Sequence, residues 1–66
     1  MNIFQLTWLI FDLNKTEVMY KFDITKGVDN FGIAVQINGR LYEVLFHTED
    51  ERDAQYVKLF EAWSNN

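Results

Sequence analysis

The sequence predicts a single α+β domain, residues 1–66, in which an antiparallel meander sheet of three or four strands packs against one C-terminal amphipathic helix. Two observations lead to this fold class. Asn38-Gly39 separates two segments rich in β-branched and aromatic residues, a pattern typical of a β-hairpin. Farther along, a helix-capping signal at Thr48 precedes apolar residues with helical spacing.

The first apolar segment, residues 3–11, is compatible with either a strand or a helix. As a helix it would have polar residues on opposite sides and no continuous apolar stripe, so we favour a strand. A loop at residues 13–15 would then pair this strand with the next one. The predicted apolar face of the first strand comprises Phe4, Leu6, Trp8 and Ile10.

The next segment, residues 17–24, alternates between large apolar and mostly polar side chains. This period of two predicts a strand whose core face carries Val18, Tyr20, Phe22 and Ile24. Met19 and Lys21 would then point to the other side. Residues 25–30, which include Gly27, form the predicted loop to the central hairpin.

A two-residue turn at Asn38-Gly39 fixes the register of that hairpin. All the large apolar side chains of residues 31–37 then share one face with Tyr42, Val44 and Phe46. The predicted pairs are Ile37 with Arg40, Val35 with Tyr42, Ile33 with Val44, and Phe31 with Phe46.

The C-terminal helix is predicted to run from about Glu49 to Ser64. Thr48 and Glu51 form a capping-box pattern, in which each side chain accepts a hydrogen bond from the other residue's backbone N–H. Acidic residues suit the first turns because the helix dipole is positive there. The predicted buried stripe comprises Tyr56, Val57, Leu59, Phe60 and Trp63, with Glu51, Lys58 and Ala62 facing away.

Composition disfavours several classes of partner. Ten acidic and six basic residues give a net charge of −4, so nucleic acids and anionic membranes are poor partners. The apolar segment at residues 3–11 is too short to span a bilayer and lacks the basic start of a signal peptide, so we expect a cytoplasmic location. The absence of cysteine excludes disulfides and thiolate chemistry.

The sequence contains no pattern that indicates catalysis or a cofactor. His47 is the only histidine, and the only serine, Ser64, lies far from it near the C-terminus. The ligand sets for zinc and calcium are incomplete, and the three glycines fit no phosphate-binding loop. We therefore expect a non-enzymatic protein with no catalytic residue, metal or cofactor.

The side of the sheet away from the helix is the first candidate interaction surface. It would remain half apolar and exposed, a feature typical of a surface that binds a partner protein or a second copy of the chain as a homodimer. The residues predicted to form the contact are Leu9, Phe11, Met19, Leu41, Glu43 and Leu45. The alternative is that residues 3–11 form a helix that covers this surface.

The acidic start of the C-terminal helix is the second candidate. Capping and the helix dipole explain it structurally, but it could also bind a basic groove as a nucleic-acid mimic. In size, charge and order of elements the chain resembles some phage-encoded inhibitors of host enzymes. The residues predicted to make this contact are Glu49, Asp50, Glu51 and Asp53.

Overall fold

In a computed structural model, which describes residues 2–65, a three-stranded antiparallel sheet and a separate two-stranded hairpin pack against one C-terminal helix. The predicted fold class is therefore confirmed. In chain order the elements are β1 (Ile3–Leu6), β2 (Leu9–Asp12), a 3₁₀ turn (Leu13–Lys15), β3 (Thr16–Asp23), β4 (Phe31–Ile37), β5 (Arg40–Phe46) and α1 (Glu49–Ser64).

The hairpin of β4 and β5 forms in the predicted register. Asn38 and Gly39 both have positive φ, 52° and 81°, as a type I′ turn requires. All four predicted pairs are present, from Ile37 with Arg40 to Phe31 with Phe46. Ile33, Val35 and Val44 are fully buried on the side of the sheet that faces α1.

The N-terminal segment is extended, but it is not the single strand that we predicted. It turns at Thr7-Trp8, where Thr7 has φ 50°, and forms its own hairpin instead of pairing with β3. The alternative of a covering helix is also wrong. The turn places Leu6 opposite Leu9, so that both side chains enter the core, whereas Trp8 and Ile10 are more than 60% exposed.

The predicted core face of β3 is wrong because the strand contains a β-bulge. The register shifts between Thr16 and Val18, which leaves Glu17 as the extra residue. One extra residue exchanges the two faces of the strand beyond it. Met19 is therefore buried beneath α1, while Val18 and Tyr20 are 45% and 43% exposed on the opposite side.

The helix has the predicted bounds, and the half of the predicted capping box that Thr48 supplies is present: the Glu51 N–H donates to Thr48 Oγ1 at 3.2 Å. Its buried stripe differs from the prediction. Leu59 is fully buried, but Val57 and Phe60 are about half exposed. Ala62, predicted to face away, packs against the core instead.

One turn before Tyr56, the buried stripe of α1 contains a charged residue, Arg52, which is only 4% exposed. The N-terminal segment, the three-stranded sheet and the helix share one core, because Leu6, Leu9 and Leu13 of the N-terminal segment belong to the same cluster as Leu59. Within residues 2–65 no helix has both the length and the apolar character needed to cross a membrane.

Candidate functional site

The surface of the three-stranded sheet that points away from α1 is the candidate site, and we call it the outer face. Directly paired residues share a face of a sheet, so the register defines its membership. Three rows cross the strands from β3 through β4 to β5: Val18–Gln36–Leu41, Tyr20–Ala34–Glu43 and Phe22–Gly32–Leu45.

Four large apolar side chains of the outer face are exposed to solvent. The exposed fractions are 45% for Val18, 43% for Tyr20, 47% for Leu41 and 43% for Leu45. The N-terminal hairpin leaves them uncovered because its apolar side joins the core beneath the sheet. The outer face is thus a solvent-exposed apolar patch on a small domain.

The middle strand contributes two small residues, Gly32 and Ala34, to the outer face, and an aromatic pair lies beside it. The Phe22 ring lies over Gly32, where even a Cβ atom would overlap it. Tyr20 packs edge-on against Phe22, with ring centroids 6.4 Å apart. Ala34 is fully buried between the flanking side chains. Packing therefore holds the Phe22 and Tyr20 rings in place on the β3 side of the outer face.

The structure places the six predicted interface residues in two different environments. Leu41, Glu43 and Leu45 lie on the outer face and are exposed, as expected. The expectation for the other three is wrong, because they are buried in the core: Leu9, Phe11 and Met19 have exposed fractions of 8%, 6% and 8%. The separate hairpin explains the first two, and the bulge in β3 explains Met19.

The bulge also brings Val18, Tyr20 and Phe22 to the outer face, which sequence reasoning missed. A usable signal was the charge pattern. Lys21 and Asp23 alternate with these apolar residues on β3 and have the charges needed to pair with the first turns of the helix.

The bulge residue itself is bonded to the central hairpin. Glu17 Oε1 accepts a hydrogen bond from the Gly39 N–H at 2.7 Å and one from Gln36 Nε2 at 3.4 Å. A charged acceptor makes the shorter of these bonds a strong one. This contact ties the bulge to the turn at one end of the outer face.

Among the nine residues of the three rows, Glu43 is the one Asp, Glu, Lys or Arg. It lies in the middle row, next to Ala34 and between Leu41 and Leu45 along β5. Within residues 2–65 no side chain or backbone group forms a hydrogen bond or ion pair with its carboxylate. Within residues 2–65, the Glu43 carboxylate therefore interacts with solvent alone.

The acidic start of the helix surrounds Arg52, whose role sequence reasoning did not anticipate. Its Nε donates to Asp53 Oδ1 at 2.7 Å, and its Nη1 donates to Asp23 Oδ1 at 2.9 Å. Nη1 also donates to the Phe22 carbonyl at 3.1 Å, and the guanidinium carbon lies 5.5 Å from the Phe31 ring centroid. Arg52 therefore joins the helix to β3 and β4.

This arrangement neutralises part of the predicted acidic surface. Glu49 Oε2 lies 3.6 Å from Arg52 Nη2, and Asp53 is shared between Arg52 and Lys21, whose Nζ is 3.5 Å away. Asp50 and Glu51 remain exposed. Two of the four predicted acidic contacts thus stabilise the fold of the chain itself.

The shifts in pKa follow from these contacts. The hydrogen bond from Arg52 holds the pKa of the Asp53 carboxyl below its ordinary value. Burial acts to lower the pKa of the Arg52 guanidinium, but its hydrogen bonds to Asp53 and Asp23 outweigh this and raise that pKa. These shifts have a structural cause and do not require a catalytic one.

The remaining polar candidates do not converge. His47 Nδ1 lies 3.4 Å from Asp29 Oδ1 on the surface, and both side chains are more than half exposed. Ser64 is the last residue of α1. In the described part of the chain, no three His, Asp or Glu side chains are grouped in a way that could hold a metal ion.

Comparison with known proteins returned no match among family models, curated proteins or solved structures. The evidence on function is therefore the geometry of the outer face and of the acidic start of the helix.

Proposed function

We propose that this chain is a small, non-enzymatic protein-interaction module that docks a partner protein through the outer face. The observation that carries the proposal is the exposure, on one surface of the sheet, of Val18 and Tyr20 from β3 and of Leu41 and Leu45 from β5. Contiguous exposed apolar patches on small soluble domains are typical of interaction sites.

The dimensions of the outer face indicate what kind of complex it forms. Three strands spaced about 4.8 Å apart and about 20 Å long present about 300 Å². A partner in a stable complex usually buries about 800 Å² on each side. The partner therefore binds transiently, or it also contacts the sheet edges formed by β3 and β5.

The alternative function, an acidic inhibitor that binds a basic groove, has weaker support. Glu49 and Asp53 already pair with Arg52, so only Asp50 and Glu51 would be available to the groove without breaking internal contacts. Two exposed carboxylates are an ordinary feature of a first helical turn.

NMR spectra of isotope-labelled protein, recorded alone and in an extract of its source cells, test the proposal. If a partner docks on the outer face, the signals of Tyr20, Leu41 and Leu45 shift or broaden first. Leu45→Asp should abolish this effect, because it places a second charge in the apolar patch.

The matched control is Val28→Asp, which introduces the same charge at a loop position that is 74% exposed and should leave the effect unchanged. Changes confined to Asp50 and Glu51 would favour the acidic inhibitor. Equal changes in both the Leu45→Asp and Val28→Asp variants would refute docking through the outer face.

A further inference from the structure

We infer that the partner of the outer face brings a cationic side chain, Arg or Lys, to Glu43 within apolar surroundings, and that this partner is not the outer face of a second copy of this chain. The inference rests on the proposed function and specifies the chemistry of the partner. It follows from the position of one carboxylate and from the absence of a matching charge on the same face.

Docking on the outer face would remove water from Glu43. The carboxylate lies between Leu41 and Leu45 along β5 and beside the fully buried Ala34, so a partner that covers these apolar side chains also covers Glu43. A desolvated carboxylate without a partner is strongly unfavourable. Within residues 2–65 no group is bonded to Glu43, so the counter-charge must come from outside.

A second copy of the chain cannot supply that charge from its own outer face. If two sheets stack with β5 over β5, the two Glu43 carboxylates meet and repel each other. If they stack with β5 over β3, Glu43 meets the Tyr20 side of the middle row, which offers a hydroxyl but no positive charge. None of the nine residues on this face is Lys or Arg.

The cationic residues near the sheet point elsewhere. On the strands, Lys21 contacts Asp53 on the helix side, and Arg40 pairs with Ile37, which packs against the core on that same side. Arg52 is buried beneath the sheet. The net charge of −4 adds repulsion between copies and attraction to a basic partner. A basic and apolar protein surface is therefore more complementary in charge to the outer face than a second outer face is.

The Glu43→Lys variant of the chain provides a defined probe, because it presents an ammonium group within the same apolar surroundings. Glu43→Gln removes the charge without adding the opposite one. Glu43 is exposed and unbonded within residues 2–65, so we expect both variants to fold, which their NMR spectra verify directly.

The experiment titrates isotope-labelled wild-type protein with unlabelled Glu43→Lys protein and follows the signals of Tyr20, Leu41 and Leu45. We expect this mixed pair to bind about tenfold or more tightly than Glu43→Gln binds to itself, a factor near the low end of the couplings measured for close interfacial charge pairs. Wild-type protein alone should show no concentration dependence. Adding Leu45→Asp to the Glu43→Lys probe should abolish binding.

The outcomes separate the inference from the proposed function. If Glu43→Gln associates through the outer face but Glu43→Lys binds wild type no more tightly, the charge assignment is overturned while docking through the face stands. Self-association of the wild type as tight as that of Glu43→Gln would also overturn it. If neither pair associates at millimolar concentration, the charge assignment is overturned, because a cation placed against Glu43 within the apolar face then adds no binding, while docking of a different partner is judged by the spectra in cell extract.

Discussion

Arg52 should be a main determinant of stability, and Arg52→Ala tests this directly. Its guanidinium is buried, and its Nη1 donates to the carbonyl of Phe22 at 3.1 Å. Replacement by alanine leaves that carbonyl without this donor, which costs about 1 kcal/mol. It also removes two buried methylenes, worth about 1.6 kcal/mol at about 0.8 kcal/mol each.

The ion pairs of Arg52 add little to this sum. The side chains of Asp23 and Asp53 are 63% and 44% exposed, so water replaces the guanidinium when it is lost. The release of a buried charge offsets part of the remaining cost. The expected loss is therefore about 2–3 kcal/mol, out of a total of about 3–10 kcal/mol for a chain of this length.

Urea denaturation followed by tryptophan fluorescence measures this loss. Arg52→Met retains an apolar stem of similar length and should lose only about 1 kcal/mol, which separates packing from polar contacts. Arg40→Ala, a change at an exposed arginine beside the central turn, is the matched control and should alter stability by less than about 0.5 kcal/mol. If Arg52→Ala is as mild as this control, the reasoning is wrong.

Two further predictions concern Phe22 and Asp53. Gly32→Ala should lower the free energy of unfolding by about 1–3 kcal/mol, because the new Cβ overlaps the Phe22 ring. In a Phe22→Leu background this loss should shrink, and strictly additive losses for the two substitutions in denaturation experiments would contradict the prediction. The pKa of the Asp53 carboxyl is below 3.8 in the folded chain, mainly because Arg52 donates a hydrogen bond to this carboxyl. The carboxylate therefore stabilises the fold above pH 3.8, and this stabilisation is lost as the pH falls through the lower pKa of the folded state. The difference in urea midpoint between wild type and Asp53→Asn should therefore shrink in acid, whereas a constant difference would refute this assignment.

The parts of the fold that sequence reasoning predicted are those with local signals. Asn38-Gly39 permits the positive φ values of the central turn, and this turn alone fixes the register of β4 and β5. Thr48 similarly fixes the start of the helix through its own side chain. Six of the nine residues of the outer face, those of β4 and β5, follow from these local signals, including Leu41 and Leu45.

The parts that were missed depend on contacts between distant residues. The turn at Thr7-Trp8 contains no glycine or asparagine, the residues that usually indicate such a turn, and a β-branched residue is unusual at positive φ. Arg52 belongs to the buried stripe of α1 only because Asp23 and the Phe22 carbonyl receive its donors across the domain. Without knowledge of these hydrogen-bond acceptors, a charged residue within a helical stripe is predicted to face solvent.

The bulge at Glu17 connects the stability of the fold with the outer face. Without it, the register of Thr16 with Ile37 would continue along β3 and bury Val18 and Tyr20 against the helix. This is the arrangement that apolar alternation predicts.

That bulge-free register would also turn Asp23 away from Arg52 and leave the buried guanidinium without this carboxylate, which is unfavourable. We therefore expect Arg52 to specify the register of β3 as well as to stabilise the fold. In Arg52→Met protein, loss of the nuclear Overhauser contact between Met19 and Val35 would reveal a shifted strand, and its persistence would show that the Glu17 hydrogen bond to Gly39 is sufficient. In the native register, the contacts that bring charged residues of β3 to the helix leave its apolar residues exposed on the outer face, where a partner can bind them.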